Sequence, residues 1–584
     1  MAFLRNLLAA ILGTLVAFGI LLFMFLLFVS LAGSAEQVHI GRHSVLDLKF
    51  PYPISEYSGY DPEDPFSVLF DPSMGLNEIT KAIALAKDDD RIEGISLSGS
   101  YLLSGISQAR AIREALADFR ESGKFVYAYA DFYLQKDYYL ASIADSVFIN
   151  PAGNFDFKGL AAEVLYFGDF QEKSGVRIEV VRHGKYKSAV EPFLGNEMSD
   201  ENRRQLGELL GSIWEGMRDE IAESRGLSAD SLDRIADGLA ARDPARALAT
   251  GLVDGILYKD QFEEKLLRDS GGSGTSPEQV PLSEYLRYTK NKRQYEGTDR
   301  IAVIYAQGEI LYGQTGSNYI NADRMREALR KARKDRKVKA VVLRINSPGG
   351  SALSSELIWR EIQQLRQDKP VVVSFSDMAA SGGYYIGVGA DKIITEPTTL
   401  TGSIGVFATI PNVSGLAGKV GINSEQVGTH RQSVDYSLFE PMSDEFREVI
   451  REGIETTYQT FLERVAEGRG ITVAQADSLA QGRVWSGADA VKVGLADALG
   501  GMPEALEAAA GLAGIQDFRI MPLPKYKTGL ERLLDDLGGT GAEARERLLE
   551  EELGSDWAEV LRELKAQLRQ DGIQARLPFT IKIH

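Results

Sequence analysis

At 584 residues the chain is too long for one compact domain of ~100–200 residues, and its 44% hydrophobic and 25% charged content excludes both a mostly disordered chain and a polytopic membrane protein. Sixty-five Lys and Arg against 83 Asp and Glu leave a net charge of −18, so no nucleic-acid partner is expected. Cys 0 removes every thiol or disulfide chemistry, and the five histidines form no close-spaced ligand pair; neither a metal nor an organic cofactor is expected.

In chain order, residues 1–35 come first. Residues 7–31 carry no charge, and as a helix rising 1.5 Å per residue they span the ~30 Å hydrocarbon core of a bilayer. Arg5 and the α-amine precede the run, so the positive-inside rule leaves the N-terminus in the cytoplasm and sends the rest across. The small residues Ala32-Gly33-Ser34-Ala35 would suit a cleavage site, but a cleavable apolar region is normally only ~7–15 residues long. A lipid-embedded anchor is the expectation.

Residues 36–268 and 300–515 repeat one another. Asp90-Arg91-Ile92-Glu93-Gly94-Ile95 is echoed by Asp335-Arg336-Lys337-Val338-Lys339-Ala340, Tyr138-Tyr139 by Tyr384-Tyr385, Met198-Ser199-Asp200-Glu201 by Met442-Ser443-Asp444-Glu445, and Gly251-Leu252-Val253-Asp254 by Gly494-Leu495-Ala496-Asp497. Four ordered matches at offsets of 243 to 246 imply a tandem duplication. Within each copy, β-branched runs such as Val371-Val372-Val373-Ser374 alternate with helical patterns such as 354–366, which predicts an α/β unit with a mainly parallel sheet. Residues 269–299, with their Gly/Ser/Pro start, are expected to be a linker. Residues 516–584 are expected to form a helical tail, with 543–552 and 556–569 as candidate helices that cover a partner surface or pack on their own domain.

The copies differ where chemistry would sit. In copy two, Met378-Ala379-Ala380-Ser381-Gly382-Gly383 places a serine among small residues after a strand, where a nucleophile is exposed to an approaching backbone; copy one has Gln135 there. Conversely, Lys187 in copy one aligns with Gln432 in copy two. Gly402-Ser403-Ile404-Gly405 aligns with Gly159-Leu160-Ala161-Ala162. Two hydroxyls in one half and one amine in the other suggest a composite site, with Ser381 as nucleophile, Lys187 as general base and Ser403 aiming the amine. Lys187 must then be neutral near pH 7, far below the ordinary lysine pKa of ~10.4, which burial without a carboxylate partner can produce; Glu191 is expected to point elsewhere. Lys185, two residues away, is the competing amine. Asn346-Ser347-Pro348-Gly349-Gly350-Ser351 follows a strand and can present backbone N–H groups to an oxyanion, whereas copy one has Ser98-Gly99-Ser100-Tyr101-Leu102. Tyr384 and Tyr385 recur in both copies and are expected to pack. His183 and His430 are expected to serve loops.

These motifs, with Leu400-Thr401-Gly402-Ser403-Ile404-Gly405 and Tyr186-Lys187-Ser188-Ala189-Val190-Glu191-Pro192-Phe193, resemble in order those of the signal peptide peptidase A, or protease IV, family in its long duplicated form. The resemblance runs from the anchor to about residue 510. It implies a Clp-protease/crotonase-like fold in tandem and a Ser/Lys dyad of Ser381 and Lys187 with Ser403 as orienting partner. It also implies oxyanion donors in the backbone of Gly350 and Gly382, and a bowl-like homotetramer on the outer face of a bacterial inner membrane. Its substrates would be remnant signal peptides, cleaved within their apolar cores. The alternatives are a degenerate scaffold of the same fold and a crotonase-type acyl-CoA enzyme.

Overall fold

The computed structural model describes residues 2–34, 39–59, 74–99, 101–289, 292, 294–313, 319–431, 433, 436–524 and 574–576. The N-terminal apolar run is one helix, Ala2–Ser34, about 50 Å long at 1.5 Å per residue. Within it Arg5–Phe25 has a mean hydropathy of 2.6 and is unburied by the rest of the protein, as a membrane-crossing segment would be. The Thr14 hydroxyl donates to the Ala10 carbonyl at 2.9 Å, so this polar group is satisfied inside its own helix.

Copy one contains β1 (Ser44–Leu48), β2 (Ile92–Ser98), β3 (Phe125–Ala130), β4 (Ser146–Ile149), β5 (Arg177–Arg182), β6 (Gly255–Ile256) and β7 (Glu278–Pro281). Copy two contains β8 (Asp299–Gln307), β9 (Glu309–Leu311), β10 (Tyr319–Asn321), β11 (Val338–Ser347), β12 (Gly349–Ser351), β13 (Val371–Ala380), β14 (Lys392–Thr395), β15 (Leu400–Gly402), β16 (Phe407–Asn412), β17 (Val484–Ser486), β18 (Ala498–Leu499) and β19 (Phe518–Leu523); a last strand, β20, is Gln574–Arg576. The first sheet runs β6-β4-β3-β2-β1-β7, all parallel. The second repeats that order as β18-β14-β13-β11-β8-β19, also parallel, and adds β15 and β17 beyond the end of β13. A tandem α/β duplication follows from the matching strand orders.

The strands are apolar on both faces because helices cover both. Val371 and Val373 join the cluster around Ile358, Trp359 and Ile362 of the helix Ala352–Arg366, while Val372 between them joins Ala505, Leu506 and Ala509 of the helix Met502–Ala513. This explains a continuous valine run where a half-exposed strand would alternate. Ala380, Leu400 and Val484 of copy two lie in the core cluster of copy one, so the halves share buried surface.

Two segments depart from the sequence expectation in the same way. The linker 269–299 contains β7, which pairs with β1, and the helix Leu282–Tyr288, whose Leu282, Tyr285 and Leu286 are buried. The helical tail 516–584 begins with β19, which pairs with β8. Each copy thus closes by returning a strand to its own first strand. Both returning strands sit beside only one neighbour and carry a proline, Pro281 and Pro522, which an edge tolerates and which masks the strand in the sequence. The candidate helices 543–552 and 556–569 lie outside the described residues.

A third sheet, β10-β9-β12-β20-β16-β5, mixes the halves. β5 from copy one pairs antiparallel with β16 over six positions, from Phe407 opposite Arg182 to Asn412 opposite Arg177. That pairing carries the segment after β5 into copy two.

Candidate active site

Strand β13 ends at Ala380, Ser381 follows it, and the helix Gly382–Gly387 begins directly after that residue. Ser381 has φ 54° and ψ −113°, a backbone conformation that a residue with a side chain adopts only under strain, and such strain concentrates at reactive positions. Its N–H donates to the Gly402 carbonyl at 2.8 Å and its carbonyl accepts from Tyr385 N–H at 2.8 Å, which pins the turn from both sides. Ser403 also has positive φ, 49°, and its N–H donates to the Arg483 carbonyl.

Lys187 reaches this turn from copy one. It precedes the short 3-10 helix Ser188–Phe193, and its loop is stitched to copy two by His183 N–H to the Val406 carbonyl at 3.0 Å and Tyr186 N–H to the Gln481 carbonyl at 2.9 Å. The Arg182 guanidinium donates to the Lys187 carbonyl at 3.0 Å. Gly482 lies against the lysine backbone so closely that a Cβ there would stand 2.5 Å from Lys187 N, and its φ of +80° also favours glycine.

The Lys187 Nζ stands 2.9 Å from Ser381 Oγ, 3.0 Å from Ser403 Oγ and 3.0 Å from the Ser403 carbonyl oxygen, all within one chain. All three residues are fully buried. Burial alone pushes the Lys187 amine well below the ordinary lysine range. Glu191 is held elsewhere, accepting from Asn202 Nδ2 at 2.7 Å and from the Tyr166 hydroxyl at 3.3 Å. A neutral amine has two N–H donors and one lone pair, so two bonds to Ser403 leave the lone pair for the Ser381 hydroxyl. Lys185 is exposed and lies over the Tyr186 ring.

Gly349, Gly350 and Gly382 form the floor beside Ser381. Gly349 and Gly350 have φ of +99° and +147°, and a Cβ on Gly350 would lie 2.1 Å from the Ile310 carbonyl oxygen, so only glycine fits. A Cβ on Gly382 would lie 3.2 Å from Gly350 N, and one on Gly349 would lie 2.7 Å from Gly382 N; the two amide nitrogens therefore lie close together. Strand β20 lies over this floor, with Ala575 opposite Gly350 and Gln574 opposite Phe407.

The sequence reading missed the buried polar cluster that ties the two halves beneath the floor. Glu56 of copy one accepts from Arg344 Nε at 2.7 Å, Gln108 Nε2 at 2.9 Å, Asn346 Nδ2 at 3.0 Å and the Ser376 hydroxyl. Burial pushes the Glu56 carboxyl upward, but Arg344 and these donors hold it below the ordinary value. Asn346 Oδ1 in turn accepts from Met378 N–H at 3.2 Å, linking the strand before the glycine floor to the strand before Ser381. Asp377 beside it is pushed up to about 6, by burial first and then by the Glu56 charge. No spacing in the chain announces a contact between residues 56 and 344.

His183 stacks on Tyr458 and bonds Glu455, and His430 bonds Thr429 in an exposed loop; neither ring hydrogen-bonds to Ser381, Lys187 or Ser403. Gln432 lies outside the described residues. Among the described residues there is no cluster of metal-ligating side chains.

A family model described as peptidase family S49 matches residues 118–271 and 363–516. Protease 4 of Salmonella typhi is 38% identical over 474 residues, which is 80% of this chain and 76% of that protein. Protease 4 of Haemophilus influenzae is 36% identical over 460 residues, 76% of this chain and 75% of that protein. A solved structure of a ClpP1 point mutant from Listeria monocytogenes matches at 16% identity and a TM-score of 0.24, covering 35% of this chain and 94% of its own.

Proposed function

Because the chain belongs to peptidase family S49 as a duplicated serine peptidase, we propose that it hydrolyses apolar peptides, remnant signal peptides above all, with a Ser381/Lys187 dyad divided between its halves. The observation that carries this reading is the 2.9 Å approach of a fully buried, carboxylate-free lysine to a strained serine.

In the proposed mechanism Ser381 Oγ adds to the substrate carbonyl while its proton passes to the neutral Lys187 amine, which Ser403 holds through its hydroxyl and carbonyl. The backbone N–H groups of Gly350 and Gly382 face the oxygen that gains charge, an effect of ~3–4 kcal/mol in acyl transfer. The ammonium then protonates the leaving amine, and water releases the acyl group by the same route. Backbone recognition would come from β12 and β16; the support is that an extended segment, β20, pairs with both.

The N-terminal helix would anchor the protein in a bacterial inner membrane, with the peptidase on the extracytoplasmic side where leader peptides are released; the support is Arg5 preceding the apolar run. We extend the proposal to a homotetramer resting on that membrane. Labelling single engineered cysteines in the naturally cysteine-free chain reports the orientation, and light scattering of the solubilised protein reports the assembly.

The deciding assay is hydrolysis of a synthetic leader peptide and of a polar peptide of equal length by wild type, Ser381→Ala and Lys187→Ala. Wild type cuts the apolar peptide preferentially, and both variants cut either peptide far more slowly. Parental rates in both variants would remove the dyad, and an inert wild type would favour a scaffold.

A further inference from the structure

Strands β11 and β13 run in parallel register as far as Ile345 opposite Phe375, yet Ser347 stands opposite Ala379, so β13 carries two more residues than β11 between these points. An insertion of this kind interrupts the ladder and bends the bulged strand, here just before Ser381. In copy one the matching ladder, from Gly94 opposite Phe125 to Ser98 opposite Tyr129, has no such shift. Side chains meet the backbone groups of the bulge instead. Arg344 Nη1 donates to the Phe375 carbonyl at 3.3 Å, the Thr399 hydroxyl donates to the Ser376 carbonyl at 2.6 Å, and Met378 N–H donates to Asn346 Oδ1 at 3.2 Å.

Asn346 lies three residues before Gly349, and Met378 lies three residues before Ser381, so one carboxamide ties the approach to the glycine floor to the approach to the nucleophile. Two carboxylates set its orientation: Nδ2 donates to Glu56 Oε1 at 3.0 Å and to Asp377 Oδ2 at 3.1 Å. The reversed amide would aim its oxygen at both carboxylates and its NH2 group at Met378 N–H, losing all three bonds. Copy one holds these acceptors in place. It supplies Glu56 itself, and Asp377 Oδ1 accepts at 3.2 Å from the N–H of Gln108, in the first turn of the helix Ile106–Arg120. A Cβ on Gly105 would stand 1.9 Å from Asp377 Cγ, so it is glycine that lets this helix end come so close. Asp377, pushed up to about 6, is still ionised at neutral pH, and Glu56 is held below its ordinary value, so both acceptors carry charge there.

We propose that Asn346 is a positioning residue for hydrolysis: held by Glu56 and Asp377, it bridges the bulge and sets Ser381 against the amides of Gly350 and Gly382. The proposal rests on the dyad reading above. Copy one then contributes twice to the reaction, once through the Lys187 amine and once through the groups that fix the strand carrying the serine. Asn346 acts through β13 rather than on the substrate, so its loss should slow the chemical step and leave peptide binding alone. A misplacement of ~1 Å at a reacting centre costs about 100-fold in rate.

Steady-state hydrolysis of a synthetic leader peptide by the full chain in detergent tests this, with the denaturant midpoint of each protein measured beside it. Asn346→Ala and Asn346→Asp each lower kcat about 100-fold, with KM within about twofold of wild type. Asn346→Asp keeps an acceptor for Met378 N–H but sets a third carboxylate beside Glu56 and Asp377. Adding Asp377→Asn removes the surplus charge and moves the NH2 donor to position 377, and it recovers about tenfold of the lost kcat. An unchanged kcat, or a loss confined to KM, overturns the positioning role. So does a loss of kcat that follows lost stability, with no recovery in the double variant. A wild type that leaves the peptide uncut, or a Ser381→Ala protein that cuts it at the wild-type rate, overturns the dyad reading and this proposal with it. An inactive Ser381→Ala beside a fully active Asn346→Ala overturns this proposal alone.

Discussion

In copy one the turn that corresponds to Ser381 carries Gln135, whose side chain accepts from Lys158 N–H at 2.9 Å and Gly159 N–H at 2.7 Å and donates to the Gly159 carbonyl at 2.9 Å. In copy two the equivalent loop supplies Ser403, and the Ser381 backbone bonds Gly402 and Tyr385 while its hydroxyl stands 2.9 Å from Lys187 Nζ and 3.4 Å from the Gly405 carbonyl oxygen. Asp137, aligned with Gly383, accepts from Tyr101 N–H at 3.1 Å and Leu102 N–H at 2.7 Å, so the amides at the end of β2 are already satisfied. After β11 the Gly349 N–H donates to Ser347 Oγ at 3.2 Å, and the segment Gly349–Ser351 pairs with β20. Copy one ties this turn down with side-chain hydrogen bonds, and copy two places a strained serine there beside a buried amine. The rest of the frame is shared: Tyr138 and Tyr384 bond the Leu252 and Leu495 carbonyls at 2.7 and 2.9 Å, and Arg225–Asp254 recurs as Arg469–Asp497.

The largest effect expected from breaking this contrast is at the nucleophile. Ser381→Ala should lower kcat by roughly 10⁶-fold and Lys187→Ala by at least ~10²–10⁴-fold, whereas Gln135→Ala should leave peptide hydrolysis nearly unchanged in a folded sample. Comparable losses from Gln135→Ala would mean that copy one takes a direct part. Ser403→Ala removes one of two acceptors that aim the amine and should lower kcat about 10–100-fold with little change in KM, measured on the same leader peptide.

The pH profile comes next. Lys187 works as its free amine, so kcat/KM should fall up to tenfold per unit as pH drops through its depressed pKa, well below the usual 10.5. In the window between that depressed value and 10.5 the unfolded chain binds the extra proton, so the contribution of Lys187 to stability rises with pH there. An acid limb unchanged in Ser403→Ala and Lys185→Ala but absent in residual Lys187→Ala activity assigns it to this amine. The smallest effect should be in the shared frame. Tyr138→Phe and Tyr384→Phe each lose one buried hydrogen bond and should cost about 1 kcal/mol in denaturant titrations, with equal values sharpening the view that the halves differ in chemistry rather than in scaffold.

Much of this was visible as letters. Serines present only at 381 and 403 and an amine present only at 187 are complementary losses, and complementary losses are readable without coordinates. Glu56 was not readable, because its significance is a contact with Arg344, 288 positions away, and a single buried carboxylate carries no periodic signal. Nor were β7 and β19, which are short edge strands with prolines. The value of Gln135 lay equally hidden, since only its three bonds to residues 158 and 159 show that it seals a site.

The string of residues alone settled the apolar N-terminal run, the duplication and the residue types available for chemistry, since these depend on composition, period and offset along one dimension. Folding settled distance and solvent. The crossing of β5 into the sheet of copy two brings an amine 194 positions away to 2.9 Å from a hydroxyl. Burial there, with no carboxylate facing it, disfavours the charged form of the amine, because desolvation acts on a charge according to what surrounds it in space and not what precedes it in the chain.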